Sequence, residues 1–375
     1  MMKKVCLSAL VALAAAAASA TDTKLLEELV AIPSVSSDIA AVNRAQRHMQ
    51  SWLESKGVSC VRETMDNGRE IVFASTRPGK VQDYLLVVHL DVAAASFPEQ
   101  YAARIEGDWM FGRGTDDCKG SCVAVAEALV RLNGKASVGV IFGSDEEIGG
   151  KSTRWMYEQG YRPGKMVIVV DSRWNAISYT SKGHTIFTVT AHGKGGHSAR
   201  PWDAKDSIAE ISAAYLKLRA AWDREHPLTE DKWCDILVAT VLKADGGAVN
   251  SIPSEASLVL NLRGVSADSA DRAEKLIAEV TGLEVTRGGD SKPFATDPDH
   301  PLIRRLQATM RRQYAGEEIP LVRNPATNDA RCFYDIKLPV AVIGVNGRGG
   351  HGPSEAVNIP NLGAVTELLV TFISE

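Results

Sequence analysis

The 375-residue chain is 45% hydrophobic and 23% charged, with 42 Lys and Arg against 46 Asp and Glu for a formal charge of −4. This composition excludes a disordered or fibrous chain and is long enough for one large or two modest domains with real cores. A mildly acidic balance carries no electrostatic footprint for nucleic acid, and leaves acidic side chains available to hold cations.

At the start of the chain, Lys3 and Lys4 precede an apolar run over residues 5–17, and Ala18-Ser19-Ala20 offers a small-residue cleavage pattern. Residues 1–20 therefore read as a signal peptide, too short and wrongly flanked for a membrane span. The expected protein is exported, periplasmic or secreted, and no later run is long and apolar enough to cross a bilayer. Cleavage would remove two lysines and no acid, taking the charge from −4 to −6. Five cysteines remain (Cys60, Cys118, Cys122, Cys234, Cys332), an odd number without a disulfide framework spacing. Cys118 and Cys122 fall on one side of a predicted helix and read as two small core residues rather than a bridge.

Helical periodicity covers about residues 25–57. Strand-like runs follow at 71–75, 84–88, 138–143 and 166–170, with a helical stretch over 120–132. Continuous apolar strands between helices predict an α/β fold with a mostly parallel sheet covered on both faces. From residue 184 to about 289 the pattern changes. Strands at 186–191, 236–243, 256–263 and 283–287 and helices at 204–223 and 267–281 give the order βαββαβ, the ferredoxin-like split unit. Beyond it, a helix at 301–314, a strand at 339–345 and a helix at 361–374 resume the first domain. The predicted organisation is a first domain of residues 21–182 and 293–375 interrupted by an inserted domain of residues 183–292.

Three predicted strands run into metal-ligand residue types: His89-Leu90-Asp91, Ser144-Asp145-Glu146-Glu147, and Asp171. Ligands of open α/β sheets bind outside the carboxyl ends of strands, so three such endings together mark a site. A fourth element is the glycine-dense loop Gly112-Arg113-Gly114-Thr115-Asp116-Asp117-Cys118-Lys119-Gly120. Its two adjacent acids suit a cation, although Asp117 could equally cap the following helix. The fifth is Gly349-Gly350-His351-Gly352-Pro353-Ser354-Glu355, after the strand at 339–345.

These five motifs, in this order and with the inserted domain, resemble the zinc exopeptidase and deacylase family. That family contains acetylornithine deacetylase, succinyl-diaminopimelate desuccinylase, carboxypeptidase G, aminoacylase and several dipeptidases. The resemblance implies two zinc ions bridged by Asp117, one completed by His89 and Asp171 and the other by Glu147 and His351; cobalt or manganese would suit the same donors. It implies Asp91 as the acceptor of the other His89 ring N–H, and Glu146 as general base. In the inserted domain, Gly193-Lys194-Gly195-Gly196-His197-Ser198-Ala199-Arg200-Pro201 resembles the family's lid motif, in which the His reaches a partner subunit's site. That implies a homodimer through the lid, with His197 stabilising the oxyanion. Asn250 and Arg263 match substrate-binding positions, and Arg suits a carboxylate through its planar fork. Asn328-Asp329-Ala330-Arg331 resembles a further family segment, but a helix cap explains it equally well.

Several departures bear on the substrate. Asp171 stands where many deacylases carry Glu, and is more typical of dipeptidases and aminopeptidases. The Asp116-Asp117 pair also resembles the dipeptidase branch, whereas Cys118 fits neither branch. Ala93-Ala94-Ala95 replaces the usual proline turn. Export favours peptide scavenging over cytoplasmic biosynthesis. The expected substrate is therefore a dipeptide or short peptide, cut by a dipeptidase or carboxypeptidase, with an N-acyl amino acid deacylase as the alternative.

Overall fold

The computed structural model describes residues 21–245 and 247–375. The expected signal peptide, residues 1–20, lies outside the described residues. The chain divides into two compact units. One comprises residues up to Tyr179, Thr296–Val322 and Asn328–Glu375; the other comprises Thr180–Ala295 and Arg323–Thr327.

An eight-stranded sheet runs in the order Ser59–Thr64, Glu70–Ser75, Val138–Gly143, Val81–His89, Arg162–Arg173, Val340–Val345, Ile177–Ser181, Leu321–Asn324. The four strands from Val138–Gly143 to Val340–Val345 are mutually parallel, and Ser59–Thr64 and Glu70–Ser75 join antiparallel. Every residue of Val138–Gly143 and Val340–Val345 is buried, which explains their continuous apolar runs: both faces are covered. Helices Gly120–Leu132 and Ile359–Ser374 pack on one another, and Ile39–Ser55 lies against Glu70–Ser75. Most side chains of Gly120–Leu132 are buried, including Val123, Val125, Leu129 and Leu132. Each such Val or Leu contributes about 1.5–3 kcal/mol of apolar burial.

The single helical stretch expected over residues 25–57 is two helices, Thr23–Val30 and Ile39–Ser55, capped by the Asp22 and Asp38 side chains. Pro33 is the physical reason, since it disfavours helix at Ile32 and supplies no N–H. The freed segment 31–38 serves the site instead. Its Ser34 Oγ donates to the Leu90 carbonyl and its Ser36 Oγ to the Asp91 carboxylate, both at 2.6 Å.

In the second unit the sheet order is Ile236–Ala244, Glu255–Gly264, Gly183–His192, Glu284–Ser291, all antiparallel. Glu255–Gly264 and Gly183–His192 alternate buried and partly exposed residues, as a sheet covered on one face requires. Helices Ser207–Glu225 and Ser269–Thr281 pack on this sheet, closing a core around Phe187, Trp222, Leu260 and Ile277. This is the ferredoxin-like order that the βαββαβ pattern predicts. Among the described residues, no helix is long and apolar enough to cross a membrane.

Candidate metal centre

Parallel strands end on the same side of a sheet, so the loops that follow them converge there. His89 is the last residue of Val81–His89, and Asp171 lies near the end of Arg162–Arg173. Glu146 and Glu147 follow Val138–Gly143, and His351 follows Val340–Val345. Asp117 arrives from the loop that enters helix Gly120–Leu132.

The side chains form two adjoining groups. His89, Cys118 and Asp171 make one; Asp117, Glu147 and His351 make the other, and within each the donor atoms lie within 4.8 Å of one another. Asp117 joins them, with Oδ1 3.0 Å from His89 Nε2 and Oδ2 3.1 Å from His351 Nε2. Glu147 Oε2 lies 2.9 Å from the same His351 nitrogen. His89 is buried, and its Nδ1 is hydrogen-bonded to the main-chain oxygen of Asp91 at 3.0 Å. Nε2 faces Asp117 Oδ1 at 3.0 Å but makes no hydrogen bond of good geometry among the described residues, and a cation would take its lone pair once the ring is neutral. A buried imidazole nitrogen that makes no hydrogen bond and faces carboxylates is part of the donor set that a divalent cation requires.

Asp91 meets the His89 ring through two oxygens. Its carboxylate stands 3.4 Å from His89 Nδ1, while its main-chain oxygen takes the ring bond. The carboxylate accepts instead from Ser36 Oγ and from the main-chain N–H groups of Glu146 and Glu147, at 3.1 and 3.2 Å. It thus sets the turn that presents both glutamates.

Asp117 does not cap the following helix. Its loop is held by Glu355, whose Oε1 accepts from the main-chain N–H groups of Gly114, Asp116 and Asp117 at 2.9, 3.1 and 3.1 Å. Glu355 Oε2 pairs with Arg113 Nη1 at 2.6 Å, and both side chains are buried. Arg113 Nη2 also donates to the His351 carbonyl at 2.9 Å, tying the two loops together. That anchoring matters because His351 has φ +63°, a left-handed conformation that costs a non-glycine residue about 1 kcal/mol or more.

Glu146 lies beside the two groups without joining either. Arg331 Nη2 stands 3.0 Å from Glu146 Oε1 and donates to the Glu146 carbonyl at 3.1 Å. Asn328 does cap the turn Asp329–Phe333, accepting from Ala330 N, yet the Arg331 in that turn reaches the site. Gly150, at φ +64°, makes room for this arrangement: a Cβ there would come within 2.2 Å of Asp329 Oδ1.

His197, Asn250 and Arg263 all belong to the second unit. His197 lies in a two-residue strand paired with Ser251–Ile252, and its Nε2 is 3.5 Å from Asn250 Nδ2. Arg263, on Glu255–Gly264, has Nη1 3.4 Å from Thr327 Oγ1.

Burial raises the Asp117 carboxyl, but the His351 and His89 imidazoles outweigh it and hold Asp117 below the usual carboxylate range. Burial, with the Asp117 charge, pushes Glu147 up to about 7. Hydrogen bonding to Asp117 raises His351 to about 9, with added attraction from Glu147. In the metal-free protein His351 therefore carries a proton at neutral pH, and a bound cation must displace it. Metal affinity is expected to rise with pH until about 9, where His351 deprotonates, by roughly tenfold per pH unit for each proton that the metal displaces. Calorimetric metal titrations at several pH values check this; an affinity that does not change with pH would refute it.

The sequence profile of peptidase family M20/M25/M40 matches residues 85–375. The chain belongs to this family. Among relatives of this M20 chain is the succinyl-diaminopimelate desuccinylase of Gluconobacter oxydans, 29% identical over 297 residues, covering 73% of this chain and 76% of that protein. Among solved structures, the M20 family metallo-carboxypeptidase Sso-CP2 of Sulfolobus solfataricus superimposes with a TM-score of 0.80 at 17% identity, over 94% of this chain and 98% of that one. The Bacillus subtilis YXEP protein, described as a dinuclear metal binding peptidase from the M20 family, gives a TM-score of 0.65 at 15% identity, over 94% and 97%. The chain is thus an M20 metallopeptidase or amidohydrolase, and its fold is the M20 fold of a mostly parallel sheet with an inserted domain.

Three residues around this M20 site lacked a role in the sequence: Glu355, Arg113 and Arg331. The first two stand inside motifs already singled out, but their pairing spans 242 residues. Arg331 offered a signal, the Asn-Asp-Ala-Arg segment, that a cap could also explain.

Proposed function

We propose that the chain is an exported di-zinc hydrolase that cuts the terminal amide bond of a dipeptide or short peptide. The observation that carries this reading is Asp117 facing one histidine from each group through separate oxygens, with the Glu146 carboxylate alongside. Asp117 would bridge the two ions, His89 and Asp171 would hold one, and Glu147 and His351 the other. A bound zinc pair supplies Lewis acidity and lowers the pKa of a shared water to about 7.

The remaining chemistry falls to the chain. Glu146 takes the proton of the attacking water and delivers it to the departing nitrogen. Burial raises its carboxyl, against the opposing charge of Arg331, which suits a group that must both accept and return a proton. Arg331 and the Asp91-held turn keep that carboxylate in place. His197 supplies a donor to the developing oxyanion, and Asn250 and Arg263 bind the substrate's amide oxygen or carboxylate. His197 acts across a homodimer formed through the inserted domain. That assembly is supported by the edge strand Ile236–Ala244, which leaves Val238 and Leu242 exposed. Export rests on the sequence of residues 1–20.

Zinc is favoured by the nitrogen and oxygen donors, and cobalt or manganese fit them also. A second substrate reading, an N-acyl amino acid deacylase, is favoured by the desuccinylase relative. Purified zinc-loaded protein is expected to hydrolyse unblocked dipeptides faster than N-acetyl or N-succinyl amino acids. Turnover of the N-acyl compounds alone would establish the deacylase reading and discard the Asp171 argument.

A further inference from the structure

We infer that Cys118 is a fourth protein donor to the buried metal position, making that position sulfur-ligated while the outer position has only nitrogen and oxygen donors. The inference rests on the two-metal reading above.

Cys118 Sγ belongs with His89 and Asp171 in a group whose donor atoms all lie within 4.8 Å of one another. An ion there would bond nitrogen and oxygen at about 2.0 Å and sulfur at about 2.3 Å, so the three donors would draw in toward it on binding. Asp117 Oδ1, 3.0 Å from His89 Nε2, supplies the fourth corner. The result is one nitrogen, one sulfur and two carboxylate oxygens, each a donor type that zinc takes. The buried His89 Nε2, which makes no hydrogen bond and faces the Asp117 carboxylate, points to an ion here independently of the cysteine.

The second thiol of the loop behaves differently. Cys122 Sγ donates to the His89 carbonyl at 3.0 Å and lies outside the group. Cys118 Sγ donates to the Val170 carbonyl at 3.3 Å, one residue before Asp171. On metal binding the Cys118 S–H bond breaks, its proton passes to solvent, the Val170 contact is given up, and the sulfur electron pair bonds the cation.

Two consequences follow. The buried position, with four protein donors, holds its ion tightly and selects zinc over harder cations such as manganese. The outer position, with the three donors Asp117, Glu147 and His351, leaves the more open side for the shared water.

X-ray absorption at the zinc edge, on protein carrying one equivalent of zinc, is expected to show a sulfur scatterer at about 2.3 Å. Cobalt titration is expected to give a sulfur-to-cobalt charge-transfer band with the first equivalent, retained in Cys122→Ser and absent in Cys118→Ser. Zinc affinity for the first equivalent should fall by about tenfold or more in Cys118→Ser. Two ions bound with only nitrogen and oxygen neighbours would overturn this inference and leave the two-metal reading intact. Failure to bind any metal would overturn both. Because the absorption measurement uses the unaltered protein, poor folding of a variant would not obscure the answer.

Discussion

Replacing Glu146 with glutamine is expected to leave both metal ions bound and to lower kcat by about 100- to 10,000-fold, the usual contribution of a positioned general acid–base group. The geometry separates this residue from its neighbour. Glu147 Oε2 is 2.9 Å from His351 Nε2 inside a ligand group, whereas Glu146 belongs to neither group and faces Arg331. Glutamine keeps the side chain's shape but cannot take a proton from water. Asp117→Asn and Glu147→Ala are expected instead to lose metal, because each removes an anionic donor, and Asp117 serves both groups. Metal content by atomic absorption, measured beside kcat for all three variants, tests the division of labour. Equal metal loss in all three would show that Glu146 is a ligand, and the mechanism would need another base.

The second large effect falls on stability. Glu355→Ala is expected to destabilise the protein by about 3–5 kcal/mol, because it leaves the Arg113 guanidinium buried and unpaired. Arg113 and Glu355 are 1% and 0% exposed at the side chain, so water cannot compensate. Three main-chain N–H groups, of Gly114, Asp116 and Asp117, lose their acceptor in the same step. The loop carrying Asp117 would then lose its anchor, and metal binding would weaken along with the fold. A double variant, Glu355→Leu with Arg113→Met, removes both charges and should recover part of the stability without recovering full metal affinity. Denaturant midpoints of the single and double variants, read with metal titrations, check both statements. A loss below about 1 kcal/mol in the single variant would mean that the pair is solvated, as exposed pairs are.

Arg331 illustrates why part of the site could not be read in advance. In the sequence it sits in a capped turn, and Asn328 does cap that turn. Only the packing of Asp329–Phe333 against helix Lys151–Glu158 brings the guanidinium to Glu146, 185 residues away. Asp91 gives the opposite lesson. Its nearness to His89 was legible, but its partners were not. A main-chain oxygen competes with the carboxylate for the ring N–H, and residue spacing carries no information on which prevails. The break in the first helix was written in the sequence at Pro33 and obscured by apolar periodicity on both sides of it.

The sequence by itself determined the α/β class, the βαββαβ order of the inserted domain, and the placement of His, Asp and Glu at the carboxyl ends of strands. Those features are local: periodicity and strand termini are carried by residues a few positions apart, and parallel strands necessarily bring their ends to one side. Tertiary structure alone decided which carboxylate anchors the Asp117 loop, which arginine faces Glu146, and that Cys118 joins the His89 group. Each of these is a long-range choice among chemically equivalent side chains, settled by which of them the folded chain desolvates together.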